Sequence, residues 1–313
     1  MQKASLSAFK AAAILMVALG ASENAAATEL LGDTAVHDPS LWISGGVQYV
    51  FSTGPGLQRL RSVDGQTWLR LAPVFNEANR PGWWDAAVPA HRGLDVWAPK
   101  LFKHRGRFWV MYSISTFGKN VSAIGLASAA APDSTEWKDE GQVLRSEASD
   151  NFNAIDPDVF IAADGRLWLS YGSFWDGIRL SELDAASLRP IGETRFVARR
   201  KDGIEAPTLM QRGAWFYLFV SWDKCCSGVN STYNIRVGRA AAPTGPFVDQ
   251  EGRALLDGGG TLVESGGERW RGPGHQDVFG NTLARHAYDA QAGGKSKLRL
   301  DELQWSADGW PSL

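Results

Sequence analysis

The stretch "DPDVFIAADGRLWLSYG", residues 156–172, opens on Asp-Pro, runs through apolar Val-Phe-Ile, turns at Asp164-Gly165 and resumes as alternating Leu-Trp-Leu-Ser-Tyr. That is the pattern of two short strands joined by a tight turn. It recurs in "DPSLWISGGVQYVFS" from Asp38, "APKLFKHRGRFWVMYS" from Ala98 and "APTLMQRGAWFYLFVS" from Ala206. Asp38 to Ala98 is 60 residues, Ala98 to Asp156 is 58, and Asp156 to Ala206 is 50. A fifth, poorer copy begins near "GPGHQDVFGN", which contains His275. A hairpin-built period of this length is the signature of propeller blades. The spacing therefore predicts an all-β, five-bladed β-propeller, a closed ring that protects its strand edges. A two-sheet sandwich would leave the repeat unexplained. "SVDGQTW" (62–68) and "SADGW" (306–310) read as the same outer turn in two blades, so that both chain ends complete one another around the ring.

Composition narrows the rest. Of 313 residues, 44% are apolar and 11% aromatic, with 14 Trp. That suffices for a large core and excludes global disorder. Lys+Arg 32 balance Asp+Glu 34 with no run of like charge, which argues against nucleic acid or a membrane surface as a partner. "MQKASLSAFK", "AAAILMVALG" and "SENAAAT" read as a basic start, a short apolar core and a cleavage site at Ala25-x-Ala27. Residues 1–27 are thus expected to be a signal peptide and 28–313 a single propeller domain, secreted or periplasmic and monomeric. The only cysteines are the adjacent Cys225 and Cys226. Cα atoms across a trans peptide stand about 3.8 Å apart, closer than disulfides prefer. The reading favours two partly buried free thiols over a vicinal disulfide.

In a propeller the first strand of each blade lines the central channel, so residues at blade openings converge on one axis. Asp38 in "HDPS" and Asp156 in "IDPD" stand at two openings, and Glu205 in "GIEAP" immediately precedes a third. In "WAPK" the Glu205 position is taken by Trp97. Any one of these acids alone reads as a turn opener or strand cap. Three around one small pocket cannot all be comfortably ionised, so at least one must hold its proton more tightly. That is a setting for acid–base chemistry. Asp158, Asp176, Asp223 and Asp277 read as loop or cap residues.

At this point the chain resembles glycoside hydrolase family 43 and, within it, the arabinan-cleaving endo-1,5-α-L-arabinosidases. The resemblance runs through "HDPSLW", "DVWAPKLFKHRGRFWVMYSISTFG", "NAIDPDVF", "LSYGSFWDGIRL", "GIEAPTLM", "SWDKCCSGVNSTYNIRVGRA" and "GPGHQDVF". "SYGSFWDGI" and "CCSGVNSTY" resemble the arabinan-cleaving members specifically. The resemblance implies Asp38 as general base, Glu205 as general acid and Asp156 as the residue that orients the acid and raises its pKa. It also implies single-displacement hydrolysis with inversion, acid and base standing about 6.5–9.5 Å apart to admit a water. The apolar neighbours of Glu205 and a nearby anion favour its protonated form.

Trp97, Phe117, Phe174 and Trp175 fall in loops after inner strands, where furanose rings could pack on flat apolar faces. Asn153, Ser173 and Ser231 are candidate partners for sugar hydroxyls. His275 matches a family histidine that points into the channel near an ion, commonly calcium, with contact expected through water because histidine is not a hard-cation ligand. The chemistry itself would need no cofactor. The expected partner is arabinan, a side chain of pectin. An exo-acting arabinofuranosidase or β-xylosidase of the same family is the nearer alternative, and a non-catalytic polysaccharide-binding propeller the more distant one. "GNTLAR" after "GPGHQDVF" replaces a longer family hairpin, so the fifth blade is expected to be short.

Overall fold

The structure is a computed structural model that describes residues 29–313; the expected signal peptide lies outside the described residues. Among the described residues nearly all regular structure is strand. Blade one holds Ser40–Ser44, Val47–Ser52, Gln58–Ser62 and Thr67–Leu71. Blade two holds Asp95–His104, Arg107–Ile114, Ser122–Ala129 and Lys138–Ser146. Blade three holds Asp158–Ile161, Leu167–Tyr171, Ile178–Leu183 and Pro190–Ala198. Blade four holds Ile204–Arg212, Trp215–Trp222, Asn234–Ala240 and Thr261–Glu264. Blade five has three strands, Trp270–Phe279, Thr282–Asp289 and Lys295–Glu302. Within each blade the strands pair antiparallel in sequence order. The five-bladed propeller expected from the repeat is the fold.

The core lies between blades, and the two-residue period of the strands explains how. Along Arg107–Ile114, Val110 and Tyr112 pack with Phe51 of blade one, whereas Met111 turns the other way onto Leu167 and Leu169 of blade three. Along Trp215–Trp222, Leu218 and Val220 meet Leu180 and Val197 of blade three, whereas Tyr217 and Phe219 meet Leu283 of blade five. Val50, Leu60 and Trp68 close the circle against Ala284 and Leu298. Each blade is thus apolar on both faces, which accounts for the aromatic richness of the second strands.

Ring closure departs from the expectation of two matched outer turns. "SVDGQTW" does join the third and fourth strands of blade one. At the outer edge of the seam the bridging segment is the N-terminal one. Leu31–Gly32 pairs in parallel with Thr67–Leu71 of blade one, while Thr34 O accepts from Leu298 N of blade five at 2.8 Å. The segment thereby lies beside the third strand of the short fifth blade. "SADGW" instead turns a separate hairpin, Gln304–Trp305 with Pro311–Ser312, which packs outside blade four. Tyr217 Oη donates to Gly309 O and Arg239 Nη1 to Asp308 O, both at 2.6 Å, and Arg239 lies over the Trp310 ring. These contacts, rather than the turn chemistry the two segments share, decide where the hairpin goes.

The blade openings share one conformation. Asp38, Ala98, Asp156, Ala206 and His275 all have positive φ, between 44° and 58°. Left-handed backbone at a non-glycine residue costs about 1–3 kcal/mol and persists only where its surroundings enforce it. Here the enforcement comes from the neighbouring blade. Ala98 N donates to Thr53 Oγ1, Asp156 N to Ser113 Oγ, His275 N to Ser221 Oγ and Asp38 N to His286 Nδ1. Ala206 N donates to the carboxylate of Asp156 itself. One side chain per junction therefore locks the next opening.

Two residues further on, the same strand faces form a second ring of Ser40, Lys100, Asp158, Thr208 and Asp277. Lys100 Nζ lies 2.6 Å from Asp158 Oδ1 and 2.7 Å from Asp277 Oδ1, the two aspartates being buried and the lysine partly so. Burial disfavours the ammonium, but the two carboxylates outweigh it and raise its pKa. Asp277 Oδ2 also accepts from Leu41 N, and Asp158 Oδ2 from Leu209 N. Asp158 and Asp277 are therefore not loop caps but the charged floor of the channel. Replacing Lys100 by Met would leave two carboxylates buried without a counter-charge, a loss of about 3–5 kcal/mol. Calorimetry of Lys100→Met should show a melting temperature lower by roughly 10 °C. An unchanged melting temperature would contradict this role for Lys100.

Candidate active site

Above that floor the openings present Asp38, Asp156, Glu205 and His275 to one cleft of about 730 Å³. The three carboxylates are buried. Asp38 is the most heavily held. Its Oδ1 accepts from His37 Nδ1 at 2.8 Å and from His275 Nδ1 at 3.1 Å, and its Oδ2 accepts from Thr53 Oγ1 at 2.5 Å. Burial alone would push this carboxyl up; His37 and His275 outweigh it and hold the group well below the usual carboxylate range.

Glu205 and Asp156 move the other way. Burial raises Glu205, and the hydroxyl of Ser173, donating to Oε2 at 2.6 Å, only partly offsets this. Burial likewise raises Asp156, against the pull of His275 and with the added repulsion of Glu205 and Asp38, to about 8. Two neighbouring carboxyls in a buried site, both with raised affinities, titrate as a coupled pair that holds on to a proton. The imidazole of His275, though disfavoured as a cation by burial, is surrounded by these acids and pushed up to about 9. One base is held ionised and one acid pair is held protonated, within a single cleft.

Trp97, Phe117, Asn153, Phe174 and Trp175 line the same cleft, as the sequence reading expects. Phe117 stands 77% exposed at the rim, an unusual position for a phenylalanine unless something covers it. Asn153 Oδ1 is buried and without a protein partner, so it can accept from a ligand hydroxyl. Ser173 lines the cleft too, but its hydroxyl is engaged by Glu205. Ser231 does not line the cleft. It is buried beneath the neighbouring turn, where its Oγ accepts from Ser227 N at 3.0 Å.

That turn carries a correction. Cys225 and Cys226 are joined as a disulfide rather than being free thiols. Cys226 takes φ 65°, which bends the chain so that adjacent side chains meet; it is exposed and Cys225 half-buried. Both cysteines form part of the cleft wall. Asp176 and Asp223, read as loop residues, are loop residues, paired with Arg199 at 3.0 Å and Arg200 at 2.6 Å.

Sequence reading missed Thr53, His286 and the floor residues. Thr53 directly follows the second strand of blade one and Ser113 is the penultimate residue of that of blade two, and the floor residues all lie two positions after an opening. Both signals are repeat offsets, visible once the blades are aligned on one another. His286 is neutral, its pKa lowered by burial and by His37, because its Nδ1 must keep a lone pair for Asp38 N. Among the described residues, His37, Asp38 and His286 bring three ligand-type atoms within 4.8 Å. These atoms are already bonded to one another or to the backbone, so they do not form an open metal centre.

The family model for glycosyl hydrolases family 43 matches residues 31–311. Among characterised proteins the chain is 44% identical to extracellular endo-α-(1→5)-L-arabinanase 1 of Bacillus subtilis, over 98% of this chain and 95% of that protein. It is 37% identical to the extracellular exo-α-(1→5)-L-arabinofuranosidase ArbA of Cellvibrio japonicus, over 89% of this chain and 86% of that protein. Among solved structures it superposes on an endo-arabinanase of Bacillus licheniformis with a TM-score of 0.88 at 46% identity, covering 91% of this chain and 99% of that one.

Proposed function

The chain belongs to glycosyl hydrolase family 43, and we propose from this that it is a secreted endo-arabinanase hydrolysing internal α-1,5-L-arabinofuranosidic bonds of arabinan. The observation that carries the reading is the opposite displacement of the acids, Asp38 downward and Glu205 with Asp156 upward. Glu205 gives its proton to the departing glycosidic oxygen. Asp38 takes a proton from a water that attacks the anomeric carbon from the opposite face, and the product is released with inverted configuration. Asp156 and Glu205 disfavour each other's charge, so the pair keeps a proton, and through Ala206 N at 3.2 Å Asp156 fixes the strand that carries Glu205. Trp97, Phe117, Phe174 and Trp175 supply apolar faces for the chain, and Asn153 an acceptor for a hydroxyl.

A calcium ion near His275 belongs to the same reading. Among the described residues His275 Nε2 makes no hydrogen bond, and it alone could face such an ion. Calcium takes six to eight oxygens, so water would complete the shell. When bound, the ion would add positive charge opposite the acids.

Incubation with linear arabinan followed by product sizing tests the activity. A ladder of oligosaccharides is expected at the earliest times, and arabinose alone from the first samples would overturn endo action. Proton NMR of the first-formed anomer should show inversion. Retention would remove Asp38 from the role of base.

A further inference from the structure

Tyr288 lies two residues beyond His286, the acceptor for Asp38 N, on the same strand, and its hydroxyl meets two further partners. It accepts from Cys226 N of the disulfide turn at 2.8 Å and stands 2.8 Å from His37 Nε2. Cys226 N–H takes one lone pair, Ser231 lies beside the same hydroxyl, and His37 Nε2 is placed to accept its one proton. A carboxylate only accepts, so His37 presents Nδ1–H to Asp38 Oδ1, and in the neutral ring this leaves Nε2 as the acceptor for Tyr288. The tautomer of a histidine is set by the bond its other nitrogen makes. The ring plane is fixed as well, since His37 stacks on His286 with centroids 3.8 Å apart, and His286 holds the backbone of Asp38.

We propose that Tyr288 is a positioning residue for the general base: clamped by the Cys225–Cys226 turn, its hydroxyl selects the His37 tautomer that aims Asp38 at the attacking water. The chain of contacts runs from the disulfide turn on one wall of the cleft, through Tyr288 and His37, to the carboxylate. It rests on Asp38 being the base. Misplacement of a reacting group by a fraction of its length costs up to about a hundredfold in rate, and that sets the expected scale.

The test is Tyr288→Phe, which removes only the hydroxyl. On linear arabinan kcat should fall about 10- to 100-fold with KM within about twofold, because no substrate contact is lost. In an Asp38→Asn background the same change should have no further effect. A full-rate Tyr288→Phe enzyme, or an equal loss in both backgrounds, overturns the proposal. Full activity of Asp38→Asn alone would instead overturn the assignment of the base. Nitrogen-15 NMR of the histidine rings reads the tautomer without catalysis: His37 should carry its proton on Nδ1 in the parent protein and lose that preference in Tyr288→Phe. A proton on Nε2 in the parent protein also overturns the proposal. If Tyr288→Phe does not fold, the parent spectrum still decides the tautomer, and His37→Asn, with the same kcat-only loss expected, replaces it in the kinetic comparison.

Discussion

Glu205→Gln should lower kcat on linear arabinan by about 10²- to 10⁴-fold, the contribution of a placed general acid, while the protein stays folded. Gln keeps an oxygen for the Ser173 hydroxyl and matches the protonated carboxyl in size and charge. What is lost is the proton for the leaving oxygen. A dinitrophenyl arabino-oligosaccharide, whose leaving group needs no proton, should therefore be cleaved at a rate within about tenfold of the parent enzyme. The pH dependence follows from the same proton. Glu205 works protonated and its affinity is raised, as is that of Asp156 to about 8, so activity on arabinan persists through neutral pH and falls as pH rises through the titration of the pair. In Glu205→Gln with the activated substrate that alkaline fall should disappear. Equal loss on both substrates would mean that Glu205 is not the acid.

Asp38→Asn should lower kcat by about 10²- to 10⁴-fold on arabinan and on the activated substrate alike, since water must be deprotonated whatever leaves. Asn can still accept from one of the donors around it, His37, His275 or Thr53, so melting should change little compared with the loss of rate. Because His37 and His275 hold Asp38 well below the usual carboxylate range, it stays ionised as pH falls through 5. The base should thus remain competent in mildly acidic solution. Rescue of Asp38→Asn by the better leaving group would exchange the two roles.

The contrast between these variants also marks where sequence reading succeeds. The blades were legible because Asp-Pro or Ala-Pro, an apolar run, a glycine turn and an aromatic strand are local chemistry repeated in each copy. The acids were legible because a ring brings equivalent positions together. Lys100, Asp158 and Asp277 were not, since each alone resembles a capped strand end and only the assembled ring turns them into one triad. Thr53, His286 and Tyr288 matter through partners one blade or a whole chain length away. The C-terminal hairpin was misplaced because "SADGW" specifies a turn but not its destination, which Tyr217 and Arg239 decide. The disulfide was misjudged on Cα separation alone, without the positive φ at Cys226 that makes the bond possible.

The Lys100–Asp158–Asp277 triad has a consequence for how a polymer can be handled. It bars the axis of the ring directly beneath the acids, so arabinan has no tunnel to thread. The substrate must lie across the open face, be cut where it crosses the centre, and leave sideways as two pieces.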